Sequence, residues 1–232
     1  MTDVEFYFDF MCPWAYQTSK WIRHARAQRD IAVTWRFFSL EEVKRPEGKK
    51  HAWERPWSYG WSLLRVAALL RREPGGNDSV DQFYELGGRL FHEDGVKIYT
   101  LEGAEAVLSE MGRDANLVRE AIGDPTTDED VRADHQRAAG LGVHGVPTLV
   151  IDKVDVLFGP VITPAPAGPA AGRLWDAVVA WAEFPHLYEI QRPKVAAEQR
   201  HIAASFEPYA LARPGGNPPS EGGESSTVRR SK

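Results

Sequence analysis

Apolar and polar positions alternate from the first residues. Val4, Phe6 and Phe8 fall on one side and Glu5, Tyr7 and Asp9 on the other, the two-residue period of a short strand rich in aromatic side chains. The period changes at Cys12-Pro13. Proline suits the first position of a helix, where its missing N–H costs nothing. Trp14, Thr18, Trp21, Ile22 and Ala25 then follow at helical spacing, which predicts a helix running to about Gln28. Ile31 to Phe38 returns to alternation, with Ile31, Val33, Trp35 and Phe37 on one face. A strand, a helix and a strand in this order make a right-handed parallel unit.

Between Leu40 and Leu141 the strand period is absent. Trp57, Trp61, Leu64 and Ala68 form a helical stripe that Pro74-Gly75-Gly76 stops. Asp78 or Ser79 is the expected cap of the next helix, whose apolar face carries Phe83, Leu86 and Leu90. A further helix carries Leu101, Val107, Leu108 and Met111. Thr126 followed by Glu129 has the spacing of a capping box before a helix over Val131 to Ala139. Strand character returns at Thr148 to Ile151 and Val154 to Phe158, and the short Asp152-Lys153 link predicts a hairpin. Ala170 to Glu183 closes the pattern as a helix with Leu174, Val178 and Trp181 facing inward. Regular order is expected to weaken after Lys194. From about residue 213 the Pro, Gly and Ser content is that of a disordered tail.

The fold class implied is α/β: a β-α-β half and a β-β-α half separated by a large all-helical insertion, the order of a thioredoxin fold. The expected divisions are 1–40 with 141–194 for the α/β domain, 41–140 for the helical insertion and 195–232 for a C-terminal extension.

A net charge of −5 gives no footprint for nucleic acid, which demands excess Lys and Arg. Lys49-Lys50 and Arg71-Arg72 read as solvated helix ends. No apolar run has the length of a membrane span, and the N-terminal residues lack the basic and apolar regions of a signal peptide, so a cytoplasmic protein is expected. One cysteine among 232 residues excludes an intrachain disulfide and fits a reducing compartment.

That cysteine sits where a strand hands over to a helix. The first N–H groups of a helix lack partners and the dipole favours an anion there, so Cys12 is expected to have a lowered pKa and to act as a nucleophile. A lone cysteine is more often a buried core residue; here the following Pro13-Trp14 and the helix start favour chemistry. Gly145-Val146-Pro147-Thr148 precedes the returning strand. A cis bond before Pro147 would present the Val146 backbone to an extended thiol peptide or disulfide, whereas a trans proline would merely open an edge strand; with Cys12 in the chain, cis is expected. None of seven histidines shows a metal-ligand spacing, and one cysteine cannot build a thiolate zinc site, so no metal is expected. His144 reads as an exposed loop residue. The glycines at 140, 142 and 145 precede a strand instead of opening a helix, which is not a nucleotide fingerprint, and no hydrolase elbow is present.

Phe6-Tyr7-Phe8-Asp9 leading to Cys12-Pro13-Trp14, then Gly145-Val146-Pro147-Thr148 and Phe158-Gly159-Pro160, resembles the DsbA-like branch of the thioredoxin superfamily, with its 2-hydroxychromene-2-carboxylate isomerases and kappa-class glutathione transferases. Phe38-Ser39-Leu40, Trp61, Arg65, Phe158-Gly159-Pro160-Val161, Gly172-Arg173-Leu174-Trp175-Asp176 and Phe184-Pro185-His186 bring the resemblance closer to the mycothiol-dependent nitroreductase family. It spans about residues 4 to 194. It implies a thioredoxin fold with a helical cap over the thiol, and thiol–disulfide or nitro-reducing chemistry with a low-molecular-weight thiol, mycothiol or glutathione, as co-substrate. Cys12 carries over as the nucleophile, Trp14 as the intervening motif residue and Pro147 as the cis-proline. Pro13, Ala15, Val146, Thr148, Trp61, Arg65 and Phe158 are the expected binding residues.

One departure matters. The family motif has a second cysteine three residues after the first, and here that position is Ala15. Cys12 can attack a disulfide but cannot resolve one internally; a second small thiol must do so by exchange. Three functions are therefore expected to compete. The first is a monothiol oxidoreductase that forms a mixed disulfide and reduces a small-molecule or disulfide substrate. The second is a thiol-cofactor isomerase or transferase acting on an aromatic molecule held among Trp14, Trp57, Trp61 and Phe158. The third is a binding module without catalysis. A homodimer is compatible with each.

Overall fold

The computed structural model describes residues 1–215. The chain runs through β1 (Thr2–Phe8), α1 (Pro13–Arg26) and β2 (Ile31–Phe37), a short α2 (Leu40–Val43) and a single 3-10 turn at Ala52–Glu54. Five helices follow: α3 (Tyr59–Arg71), α4 (Gly76–His92), α5 (Leu101–Glu110), α6 (Leu117–Gly123) and α7 (Thr126–Gly140). Then come β3 (Thr148–Ile151), β4 (Asp155–Phe158), α8 (Pro169–Ala182), α9 (Ala196–Ser205) and α10 (Glu207–Ala212).

The four strands form one sheet in the order β2-β1-β3-β4. β1 pairs with β2 in parallel and with β3 antiparallel, and β3 pairs antiparallel with β4. This is the expected β-α-β and β-β-α order with helices between the halves. The β3–β4 turn uses Asp152 and Lys153, both at positive φ. The Asp152 carboxylate tolerates that conformation by accepting the Asp3 backbone N–H at 2.9 Å, which fastens the hairpin to β1.

Alternation along β1 and β2 sends Phe6, Phe8, Trp35 and Phe37 into one core with Phe83 and Tyr84 of α4. Phe8 stacks on Tyr84 with ring centroids 4.0 Å apart. Burial of these rings is the main attraction holding the helical block on the sheet. Polar ties fix its orientation. The Asp134 carboxylate on α7 accepts the Phe37 N–H of β2 at 3.1 Å and pairs with Arg36 and Arg71.

Three local expectations give way. α4 starts at Gly76 with Gly75 before it, at φ 72°, so Asp78 and Ser79 lie inside the first turn. Glycine suits that left-handed position, which Asp or Ser would hold less easily. At α7 the flanking residue is Pro125, and Asp124, not Thr126, supplies the capping oxygen: it accepts from Thr126 N–H at 2.9 Å. In α8 Leu174 and Val178 pack against the core as expected, but Trp181 does not: its indole N–H donates to the Leu187 carbonyl at 2.9 Å, and the buried aromatic of the helix is Trp175. The tail expected from about residue 213 falls, from 216 onward, outside the described residues.

Candidate active site

Cys12 is the N-cap of α1, in extended backbone conformation. Its sulfur accepts the Ala15 N–H at 3.4 Å and its S–H faces the Val146 carbonyl, also at 3.4 Å. Val146–Pro147 is cis. Pro13 opens α1, Trp14 and Ala15 form its first turn, and Thr148 locks the opposite loop by donating to the Gly145 carbonyl at 2.8 Å. The structure thus brings Cys12, Pro13, Trp14, Ala15, Val146, Pro147 and Thr148 together, although the two motifs are far apart in sequence. Phe158 reaches the rim: it stacks on His144 at 5.0 Å and packs against Gly145. His144 is exposed, as its loop position predicts.

Trp61 and Arg65 are placed differently. The Trp61 indole N–H donates to Asp128 at 2.6 Å. Arg65 donates to Thr127 and to the Ile122 and Asp124 carbonyls within 3.0 Å, and faces Asp128 at 3.4 Å. Both side chains are buried, and their polar atoms are spent joining α3 to α6 and α7. The Trp57 side chain lines a cavity of about 630 Å³ with Tyr59, Tyr99 and Leu101. Trp14, Trp61 and Phe158 do not line that cavity.

Asp9 is a residue whose role the strand pattern did not disclose. It is fully buried, and its carboxylate accepts the Met11 N–H at 2.8 Å and the Leu40 N–H at 2.7 Å. Its carbonyl takes the Cys12 N–H at 3.1 Å. Asp9 therefore braces the corner that carries the thiol. Gly60 of α3 must be small because a Cβ there would stand 2.9 Å from the carboxylate. Burial pushes the Asp9 carboxyl up to about 6, against the pull of its two N–H donors.

The electrostatics of Cys12 reverse one expectation. Only 6% of the residue is exposed. Burial pushes its thiol up to about 11; the Ala15 N–H pulls it down and the Asp9 charge adds to the rise. Desolvation of the thiolate outweighs the helix N-terminus, so in this closed arrangement the thiol is protonated at neutral pH.

The C-terminal extension contributes to that enclosure. Order does not weaken after Lys194 as predicted: α9 and α10 form, and α10 returns to the thiol corner. Phe206 meets Trp14 edge-on at 4.7 Å, and the Lys194 ammonium lies 5.6 Å from the same ring. Tyr209 packs on Phe91 at 5.2 Å and on His92 at 5.1 Å. His92 is buried and donates from Nε2 to the Phe10 carbonyl at 2.9 Å; burial takes it down to about 3, so it is neutral. Ile202, Phe206 and Tyr209 recur at helical spacing, the one signal in the sequence that could have revealed this contact.

Lys49-Lys50 is not a helix end. It lies in the loop after α2 and, with Lys44, Arg45, Arg55, Glu41 and Pro46, lines a cavity of about 410 Å³. No helix among the described residues is long and apolar enough to cross a membrane.

Comparison with known proteins agrees with this geometry. A solved structure of a probable DsbA oxidoreductase from Streptomyces coelicolor superposes with a TM-score of 0.56 at 22% identity, covering 82% of this chain and 94% of that one. The cytosolic disulfide reductase DsbM of Pseudomonas aeruginosa, solved with GSH, superposes with a TM-score of 0.55 at 13% identity, over 77% and 99% of the two chains. At such identities the likeness concerns the thioredoxin-type fold alone. A Mycobacterium tuberculosis protein of uncharacterised function, Rv2286c, is 51% identical over 213 residues, 92% of this chain and 91% of its own length. The family profile described as Rv2466c-like, mycothiol-dependent nitroreductase Rv2466c, matches residues 11–192, from the corner of Cys12 to just beyond α8. With its thiol corner, cis-proline loop and helical block in that arrangement, the chain belongs to the Rv2466c-like family of mycothiol-dependent nitroreductases, a family of thiol-dependent oxidoreductases.

Proposed function

We propose that the protein is a monothiol oxidoreductase in which Cys12 forms a mixed disulfide with a low-molecular-weight thiol, mycothiol or glutathione. The observation that carries this reading is the pairing of Cys12, at the N-cap of α1, with the backbone of Val146 before a cis proline, while Ala15 occupies the resolving position.

The chemistry balances without a second cysteine. Cys12 gives up its proton and attacks one sulfur of a disulfide. A new S–S bond forms at Cys12, the old one breaks, and the departing thiolate takes up a proton. A free low-molecular-weight thiol then attacks the mixed disulfide and regenerates Cys12. Summed over one cycle, one free thiol is consumed and one is released, the substrate disulfide having exchanged one half for that thiol. A second cycle with a second thiol completes its conversion to two thiols and leaves the two reductant thiols as one disulfide. The thiol stays protonated in the closed state, so the attack requires water or substrate to reach the corner. Solvation and the unpaired N–H groups of α1 then favour the thiolate.

Intact-mass analysis after incubation with oxidised mycothiol or oxidised glutathione tests the cycle. One adduct at Cys12, released by the matching reduced thiol and missing from Cys12→Ser, is the expected result. Wild-type protein that takes up no adduct, or a Cys12→Ser variant with undiminished reductase activity, would overturn it.

One observation favours a second reading, a thiol-cofactor isomerase or transferase. A protonated Cys12 can donate a hydrogen bond, as it does to Val146, and could hold a bound cofactor thiolate without reacting itself. Conversion of an aromatic substrate with no net electron transfer, retained in Cys12→Ser, distinguishes this case.

A further inference from the structure

The cavity beside α2 is lined mainly by cations, three of which the fold does not pair. Arg45 is paired with Glu42 at 2.9 Å and Arg55 with Glu41 at 2.7 Å, which holds both guanidinium groups in place. Lys44, Lys49 and Lys50 line the same cavity with no carboxylate partner among the described residues. With Arg45 and Arg55 each matched by a carboxylate, three cations line the cavity uncompensated in a chain of net charge −5. The carboxylate is itself informative: Glu41 Oε2 is buried and has no hydrogen-bond partner among the described residues. A buried acceptor left open is costly, and an N–H from a ligand would satisfy it.

The cavity is also tied to the reacting corner. α2 begins at Leu40, whose N–H is held by Asp9 and whose side chain packs against the cluster around Cys12. Lys44 lies one helical turn farther on, about 6 Å along the axis. Its charge reaches both Cys12 and Asp9 and favours the ionised form of each. A molecule anchored here by an anionic end would lie against the helix whose first residue packs on the Cys12 cluster.

We propose that Lys44, Arg45, Lys49, Lys50 and Arg55 form a subsite for the carboxylate of a small anionic molecule that reacts at Cys12, with Glu41 Oε2 accepting an N–H of the same molecule. This names the substrate class for the reaction at Cys12 and rests on that reading. The carboxylate can belong to the disulfide that modifies Cys12 or to the acceptor that is reduced.

Binding is measured first in Cys12→Ser, where no exchange is possible. Calorimetry at low ionic strength, where attraction is least screened, uses 3,3′-dithiodipropionate and 4-nitrobenzoate, with 2,2′-dithiodiethanol as the neutral control. Both carboxylates are expected to bind and the neutral disulfide is not. Replacing Lys44, Lys49 and Lys50 together by Gln should weaken the carboxylates about ten-fold, the loss of three partly solvated attractions. No binding of either carboxylate, or binding that survives the triple substitution in a folded protein, overturns the subsite. The rate of adduct formation at Cys12 in the otherwise unchanged chain then tests the link to the thiol. About ten-fold faster modification by dithiodipropionate than by dithiodiethanol supports the subsite and places the carboxylate on the disulfide. Equal rates for the two disulfides, despite binding of dithiodipropionate, would overturn the link between the subsite and Cys12. Lack of any adduct would overturn the role of Cys12, while the calorimetry would still decide the subsite.

Discussion

Two buried polar regions of this molecule handle their groups in opposite ways. At the junction of α3 with α6 and α7, Arg65 and Trp61 meet Thr127, Asp128 and two carbonyls in a closed set of hydrogen bonds. At the thiol corner, Cys12 meets only backbone: one N–H of its own helix and one carbonyl across the cis-proline loop, both at 3.4 Å. The first region fixes geometry, because removing any member leaves others buried and unpaired. The second holds a reactive atom loosely enough for its partners to be exchanged for a substrate. Burial alone therefore does not mark function; what matters is whether a buried polar atom has stronger partners in the fold or is left with weak, replaceable ones.

Removing each centre separates the two behaviours most sharply. Cys12→Ser is expected to abolish mixed-disulfide formation, a loss of more than about a thousand-fold, with little change in thermal stability. Arg65→Met should do the reverse. It leaves the half-buried Asp128 with the Trp61 N–H but no counter-cation, takes the guanidinium donor from the Ile122 and Asp124 carbonyls, and is expected to cost about 3–5 kcal/mol, read as a clear fall in melting temperature, while the folded fraction keeps its Cys12 adduct rate. If Arg65→Met slowed adduct formation in protein shown to be folded, the comparison would fail.

Asp9 lies between these extremes, since it is structural yet touches the corner. Its carboxyl, at about 6 in the folded chain, is raised above the value of about 4 expected when unfolded. The native state then binds more protons between those values, so this group's contribution is present at acid pH and is lost as pH rises from about 4 to about 6. The change is worth up to about 3 kcal/mol and should flatten in Asp9→Asn, as measured by denaturant unfolding across that range. A slope unchanged by the substitution would assign it to other carboxylates.

The cover over the thiol has a smaller effect that is specific to the corner. Phe206→Ala with Tyr209→Ala should raise the rate of Cys12 alkylation about ten-fold by admitting water beside Trp14. It should also bring the pH midpoint of that reaction down from about 11 toward the ordinary thiol range. A matched Leu211→Ala change, at an exposed position of α10, should leave the rate as it is. Smallest of all, Phe158→Ala opens only the rim beside His144 and is expected to change adduct formation about two-fold.

Much of this was legible in the residues themselves. Two-residue alternation around Phe6 and Trp35, the period change at Cys12-Pro13 and the returning strand at Thr148 specify the strand and helix order, because each element must bury one face. The same residues identified the thiol corner and the cis-proline loop, since only a few residue types suit a helix start or a cis bond. A single cysteine, with Ala15 at the position of the second motif cysteine, determined that Cys12 has no resolving partner in this sequence. The sequence was a poorer guide where several distant segments share one space. Trp61 and Arg65 resemble site residues until α6 and α7 close on them. The reactivity of Cys12 was predicted from its own helix, but Val146, Leu40 and Phe38 bury it, and desolvation, which depends on everything packed around an atom, outweighs the local dipole. The return of α10 to Trp14 and the gathering of Lys44, Lys49, Lys50 and Arg55 around one cavity were likewise decided only by tertiary structure. Local pattern governs which face of an element is apolar; what that face and its charges meet is settled when the chain closes on itself.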